Sequence, residues 1–217
     1  MPTIIFDFDS TLVSIETLDT LLTPKLTDPT KSARFKALTK AGMQGDIPFA
    51  ESLQKRLEIA TPTQAEVALL ANTISAYFTP GIPSLIKQLQ AARWDIWIIS
   101  GGLKSLIIPA AHALGIQSDH VCAVEALWTK AGDFKALDHN KPFNVSKVAG
   151  FHSVKQRIKA PIVVVGDGMT DCALYQAGLV GSFIAFIQHK QHQRVIDAAP
   201  FVASNVEELK TILAKNF

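Results

Sequence analysis

The sequence predicts an α/β fold: a parallel sheet with helices on both faces, carrying a small all-helical unit inserted after the first strand. Two patterns lead there. Short apolar runs rich in β-branched and aromatic residues alternate with stretches of helical periodicity, as they do when crossover helices connect parallel strands. Between the first and second of these runs, residues 14–78 hold only helical pattern broken by prolines, which is far too long for one crossover helix.

In chain order, "TIIFDF" (3–8) is the first strand run, and it ends on acidic residues and a Ser-Thr pair in "DFDST". The inserted unit follows, punctuated by Pro24, Pro29, Pro48 and Pro62, and closes near Thr79-Pro80-Gly81. "DIWIIS" (95–100) is the second strand run, and "LKSLIIPAAHALG" after it reads as a helix stopped by Gly115. "HVCAVEAL" (120–127) reads as a third strand. "VSKVAGFHSVKQRI" reads as a helix before the strand "PIVVVGD" (161–167). "FIAFI" (183–187) is the last strand run, and "VEELKTILAKNF" closes the chain as a helix. The sheet domain therefore takes residues 1–13 and 79–217, and the helical unit 14–78.

Composition narrows the function classes. An apolar share of 48% supports a packed interior, and 21 basic against 19 acidic residues give a net charge of +2. There is no run of five or more like charges, so nucleic acid and acidic membrane surfaces are not expected partners. Nothing resembles a secretion signal or a span of ~20 apolar residues, which leads to the expectation of a cytoplasmic protein. Cys122 and Cys172 do not form a CxxC pair and read as reduced structural thiols. His189 and His192, three apart in "QHKQHQR", have no acidic or thiolate companions and read as a solvated segment.

In an open parallel sheet, ligands bind at the carboxyl ends of the strands, and three strand ends here carry polar residues. They are Asp7-Phe8-Asp9-Ser10-Thr11, Ser100-Gly101-Gly102, and Gly166-Asp167-Gly168 with Asp171 following. Four carboxylates gathered at one rim repel one another by several kcal/mol unless a cation sits among them. Oxygen ligands without clustered His or Cys point to Mg²⁺. Ser100 with its glycine pair offers a hydroxyl and N–H groups to an anion, and Lys147, opening a helix, offers a point charge.

With these motifs in this order, the chain resembles the haloacid dehalogenase superfamily of phosphatases. The resemblance implies a Rossmann-like core and a Mg²⁺ cofactor, with Asp7 as phosphoryl-accepting nucleophile and Asp9 as general acid and base. It places Asp7, Asp9, Asp167 and Asp171 around the metal, and Ser100, Gly101 and Lys147 on the phosphate. Within the superfamily, "DSTLVSIETLD" and "AGMQGDIPFAESLQKRL" resemble the phosphoserine phosphatase branch. That implies Glu16 for a substrate ammonium, Arg56 for its carboxylate, Met43 and Phe49 as an apolar lid, and a contact from Thr170. Leu103 stands where the branch commonly has Phe, Thr170 where it has Asn, and the hairpin region 121–142 lacks the branch's usual elements.

The expected activity is hydrolysis of a small phosphorylated metabolite, O-phospho-L-serine first. The alternatives are another phosphatase or phosphotransferase of the same branch and, more remotely, a receiver-type phospho-aspartate signalling module.

Overall fold

The computed structural model describes residues 1–217 other than Gly45 and His139; for Met43 and Gln44 it describes the backbone alone. Six parallel strands form one twisted sheet in the order β3-β2-β1-β6-β7-β8. They are β1 (Thr3–Phe6), β2 (Asp95–Leu103), β3 (Val121–Val124), β6 (Ile162–Gly166), β7 (Ser182–Phe186) and β8 (Phe201–Ala203). A separate antiparallel hairpin joins β4 (Ala126–Trp128) to β5 (Phe134–Leu137).

The period-2 alternation of each strand assigns its side chains to two cores. Ile4, Phe6, Ile98, Val165 and Ile184 face one way, onto α5 (Ile82–Ala91), α6 (Lys104–Ala113) and α10 (Val206–Asn216). Ile5, Trp97, Val164 and Phe183 face the other, onto α7 (Lys147–Val154), α8 (Met169–Gln176) and α9 (Gln193–Ala198). A strand buried on both faces must be apolar at nearly every position, which is why the strand runs are continuous in the sequence rather than alternating.

Residues 14–78 contain α1 (Thr17–Leu22), α2 (Pro29–Gln44), α3 (Phe49–Ala60) and α4 (Gln64–Thr73), with short 3-10 turns after α1 and after α4. The chain enters and leaves this unit at one place. Val13 bridges Phe78, Ser14 N–H donates to Tyr77 C=O at 2.9 Å, and Thr79 N–H donates to Leu12 C=O at 3.0 Å. Leu53, Leu57 and Val67 of the unit are buried in the same core that covers one face of the sheet.

Three details differ from the sequence reading. "HVCAVEAL" is not one strand: the buried Asn144 side chain grips both sides of Glu125, accepting its N–H at 2.9 Å and donating to its C=O at 2.8 Å, and the chain turns out of the sheet there. The second strand does not stop at Ser100 but continues through Gly101 and Gly102 to Leu103, with a register shift against β3. The short edge strand β8 follows Pro200 and carries too few residues to signal itself. No helix among the described residues is long and apolar enough to cross a membrane.

Candidate active site

The chain runs from β1 outward to β2 and β3, then returns to the other side of β1 with β6, so the strand order reverses between β1 and β6. The carboxyl ends of these two strands frame a crevice, and the acidic residues lie there. Asp7 follows β1 directly, and its N–H still donates to Val165 C=O at 2.9 Å, which keeps it aligned with the sheet. Asp167 follows β6, and Asp171 sits in the first turn of α8. One oxygen from each of Asp7, Asp167 and Asp171 lies within 4.8 Å of the others.

Lys147 is the cation of this cluster. The Ser146 side chain caps α7 by accepting Ala149 N–H at 3.0 Å, which sets Lys147 at the first helical position. Its Nζ lies 2.7 Å from Asp7 Oδ1 and 2.6 Å from Asp171 Oδ1. Asp7 Oδ1 also accepts Phe8 N–H at 2.7 Å. Asp171 Oδ2 accepts Gly168 N–H at 3.2 Å, so this carboxylate caps α8 and holds Lys147 together. Gly166 makes room for it, because a Cβ there would stand 2.4 Å from Asp171 Cγ.

Burial pushes the Asp167 and Asp171 carboxyls well above the ordinary aspartate range, and the charge of Asp7 adds to it. Burial opposes the Lys147 charge, but Asp171 and Asp7 outweigh it and hold the ammonium above the usual lysine range. Once ionised, the three carboxylates outnumber the one ammonium and carry excess negative charge. Hard oxygen donors in that state, with no sulfur or imidazole among them, fit Mg²⁺.

Asp9, which the sequence reading also placed around the metal, has its carboxylate outside this cluster of side-chain oxygens. Its Oδ1 accepts Thr17 N–H at 2.9 Å, and its Oδ2 lies 3.3 Å from where a Cβ on Gly102 would stand. Burial, then the charges of Glu16 and Asp7, push this carboxyl up to about 7. Between Asp7 and Asp9 the backbone leaves the strand, and Ser10 is held in the left-handed region at φ 51°. That conformation costs a non-glycine residue about 1 kcal/mol or more. It turns the chain after Asp9 back toward Ile15, whose C=O accepts Ser10 N–H at 3.2 Å.

One cavity of about 1010 Å³ is lined by Asp7, Asp9, Asp167 and Lys147 and extends under the helical unit to Glu16, Phe49 and Arg56. Gly101 lines it, and the Phe49 ring comes down on that glycine, with Cζ 3.1 Å from where a Cβ would stand. Ser100 is buried beneath, its Oγ accepting Gly102 N–H at 3.0 Å. Thr170 is exposed at the start of α8 and borders the cavity. The side chain of Met43 lies outside the described residues.

Arg56 has only 11% of its side chain exposed, and its Nε is buried without a partner among the described residues. Its nearest carboxylate, Asp19, is 3.8 Å away, and burial disfavours the charge on both groups. The guanidinium stacks over Phe35 at 5.8 Å. An arginine in this state has donors to spare for an anion.

The sequence reading missed Lys190, whose Nζ lies 2.6 Å from Glu16 Oε1. The segment "QHKQHQR" is not simply solvated: His189 Nε2 lies 2.8 Å from the buried Thr79 Oγ1, and Lys190 and His192 line the cavity. Its position just after a parallel strand, at the ligand-binding end of the sheet, was the signal available.

A family model described as haloacid dehalogenase-like hydrolase matches residues 4–176. The chain is 30% identical over 208 residues to phosphoserine phosphatase of Rattus norvegicus, covering 94% of this chain and 89% of that one. It is 30% identical over 203 residues to phosphoserine phosphatase of Idiomarina loihiensis, covering 89% and 86%. Among solved structures, a phosphoserine phosphohydrolase-like protein from Francisella tularensis superposes with a TM-score of 0.92 at 40% identity, covering 98% of this chain and all of that one. A phospho-aspartyl intermediate analogue of phosphoserine phosphatase gives 0.76 at 25% identity, covering 98% and 97%.

Proposed function

Since the chain belongs to the haloacid dehalogenase-like hydrolases and is a phosphatase of that family, we propose that it hydrolyses O-phospho-L-serine to serine and phosphate through an aspartyl-phosphate on Asp7. The observation that carries the substrate is Arg56, nearly buried with an Nε unpartnered among the described residues, in one cavity with Asp7 and Glu16. A guanidinium for a carboxylate and a glutamate for an ammonium are what a small zwitterion requires.

The roles follow from the contacts. Asp7 Oδ1 is held by Lys147 and Phe8 N–H, which leaves Oδ2 to attack phosphorus in line. Lys147 neutralises charge on Asp7 and on the incoming phosphoryl oxygens. Asp7, Asp167 and Asp171 would hold Mg²⁺, which when bound draws charge off those oxygens. Asp9, protonated near neutral pH, gives its proton to the departing serine oxygen and then takes one from the water that attacks the phosphoenzyme. Residues 14–78 serve as a cap, with Phe49 on Gly101 excluding water from the reacting groups.

The test is phosphate release from phosphoserine, phosphothreonine, phosphoethanolamine, phosphocholine and an aryl phosphate, with and without Mg²⁺. Phosphoserine should lead, and Arg56→Ala should cost it roughly 2–5 kcal/mol in kcat/KM while leaving phosphoethanolamine, which has no carboxylate, nearly unaffected. Equal losses on both would reduce Arg56 to a support of the cap and return the substrate to an unspecified small phosphomonoester.

A further inference from the structure

The carboxylate assigned to a substrate ammonium already holds one. Lys190 Nζ lies 2.6 Å from Glu16 Oε1, and the Ser10 hydroxyl donates to the same oxygen at 2.6 Å. The loop that presents Lys190 is anchored at two points. Before it, Ile187 N–H donates to Ala203 C=O at 2.9 Å. At its centre, His189 Nε2 meets Thr79 Oγ1 at 2.8 Å. The Thr79 hydroxyl gives its own hydrogen to Thr11 C=O at 2.8 Å, so it accepts from the imidazole, and His189 carries its proton on Nε2. Thr79 is fully buried where the chain returns from the helical unit to the sheet domain. The fold thus delivers Lys190 to Glu16, where the two side chains are 29% and 35% exposed.

We propose that Lys190 is an internal stand-in for the substrate ammonium, and that the site therefore accepts two classes of phosphate. Phosphorylated amino compounds displace Lys190 from Glu16. Phosphorylated hydroxycarboxylic acids without an amino group leave the pair closed and meet no bare negative charge. This rests on the reading of Glu16 and Arg56 as substrate-binding residues. The physical reason is that selectivity is a difference of affinities. An incoming ammonium gains Glu16 only by giving up the Lys190 contact, so its net worth is small. A substrate lacking that ammonium would face Glu16 unpaired if Lys190 were absent, and its carboxylate would be repelled.

The test compares kcat/KM of the wild type, Lys190→Met and Lys190→Arg on two substrate pairs that differ by an amino group: phosphoserine against 3-phosphooxypropionate, and phosphoethanolamine against ethyl phosphate. Met keeps the aliphatic stem without the charge. For a partly exposed pair each substrate should move by about fivefold at most, the amino member upward and, in the first pair, its partner downward, so that the amino preference there widens roughly tenfold. In the second pair ethyl phosphate has no carboxylate to repel, so the preference widens through the amino member alone. Lys190→Arg should stay near the wild-type ratios.

An unchanged ratio in Lys190→Met on both pairs, a fall in the ratio, or an equal change in Lys190→Arg would overturn the proposal. Failure of the phosphoserine reading looks different: phosphoserine is then no better than phosphoethanolamine in any of the three proteins, and the pair without a carboxylate still reports on Lys190.

Discussion

Lys147→Met offers the sharpest check on the charge balance of the site. The lysine side chain is 7% exposed and lies within 2.7 Å of Asp7 and 2.6 Å of Asp171, whose side chain is 1% exposed. Removing one partner of so buried a pair leaves an uncompensated charge and costs about 3–5 kcal/mol. In a chain of 217 residues that is a fall in Tm of roughly 6–20 °C. The loss should depend on pH with a definite sign. Asp167 and Asp171 are raised in the folded state, by burial first and then by Asp7, so their contribution to stability is present below the unfolded aspartate range and is lost as pH rises through the raised folded values. Lys147 holds both down, so the gap between wild type and variant should be small near pH 4 and widen toward pH 8. Mg²⁺ should return part of the lost stability at pH 8 by binding the folded state alone. The assay is thermal unfolding of both proteins in chelator and in Mg²⁺ across that range. If Lys147→Met melts within about 2 °C of wild type at pH 8 in chelator, the cluster is not charged in the way described.

Three further outcomes follow from the same contacts. Asp7→Asn should lose turnover by several orders of magnitude yet melt no lower than wild type in chelator at pH 8, because it removes a charge that raises Asp167 and Asp171; a tenth of wild-type kcat would reject it as nucleophile. Asp9→Asn should penalise alkyl phosphates far more than aryl phosphates, which leave without protonation, and the wild-type rate on alkyl phosphates should decline above about pH 7 as Asp9 loses its proton; equal losses on both substrate types would remove the acid role. Gly166→Ala drives a methyl into Asp171, at 2.4 Å from Cγ, and should raise the Mg²⁺ needed for half-maximal activity at least tenfold, or about 1.4 kcal/mol; an unchanged requirement would take Asp171 out of the metal set.

What was legible in the sequence was what depends on a short stretch alone. "TIIFDF" and "PIVVVGD" identify themselves because a strand buried on both faces must be continuously apolar and its ligand-binding end must not be. The placing of Asp7, Asp167, Asp171 and Lys147 at one rim follows from the order of strand ends. What was not legible depends on partners distant in the chain. The break after Val124 is made by Asn144, and nothing in "HVCAVEAL" announces it. Lys190 meets Glu16 across 174 positions of sequence only because β7 ends beside the crevice and His189 is tied to Thr79. The Asp9 side chain is held apart from the carboxylate cluster by Thr17 N–H, eight residues on, a contact that nothing in "DFDST" advertises.

The arrangement breaks two local rules in ways that compensate each other. A lysine at the first position of a helix opposes the helix dipole by about 0.3–1 kcal/mol, and it gains nothing from burial. Three carboxylates within 4.8 Å are each unfavourable by themselves. Placed together, Lys147 relieves Asp7 and Asp171, and Asp171 in turn caps the N-terminus of α8. Two helix starts and the end of β1 are therefore tied through three side chains, so the start of α8 and the grip on Asp7 cannot vary independently. One lysine cannot neutralise three ionised carboxylates, and the residual negative charge is what would draw a divalent cation to the site. Asp7 and Asp167 follow two paired parallel strands, β1 and β6, so the sheet would hold these carboxylates together for a cation as much as their own contacts do.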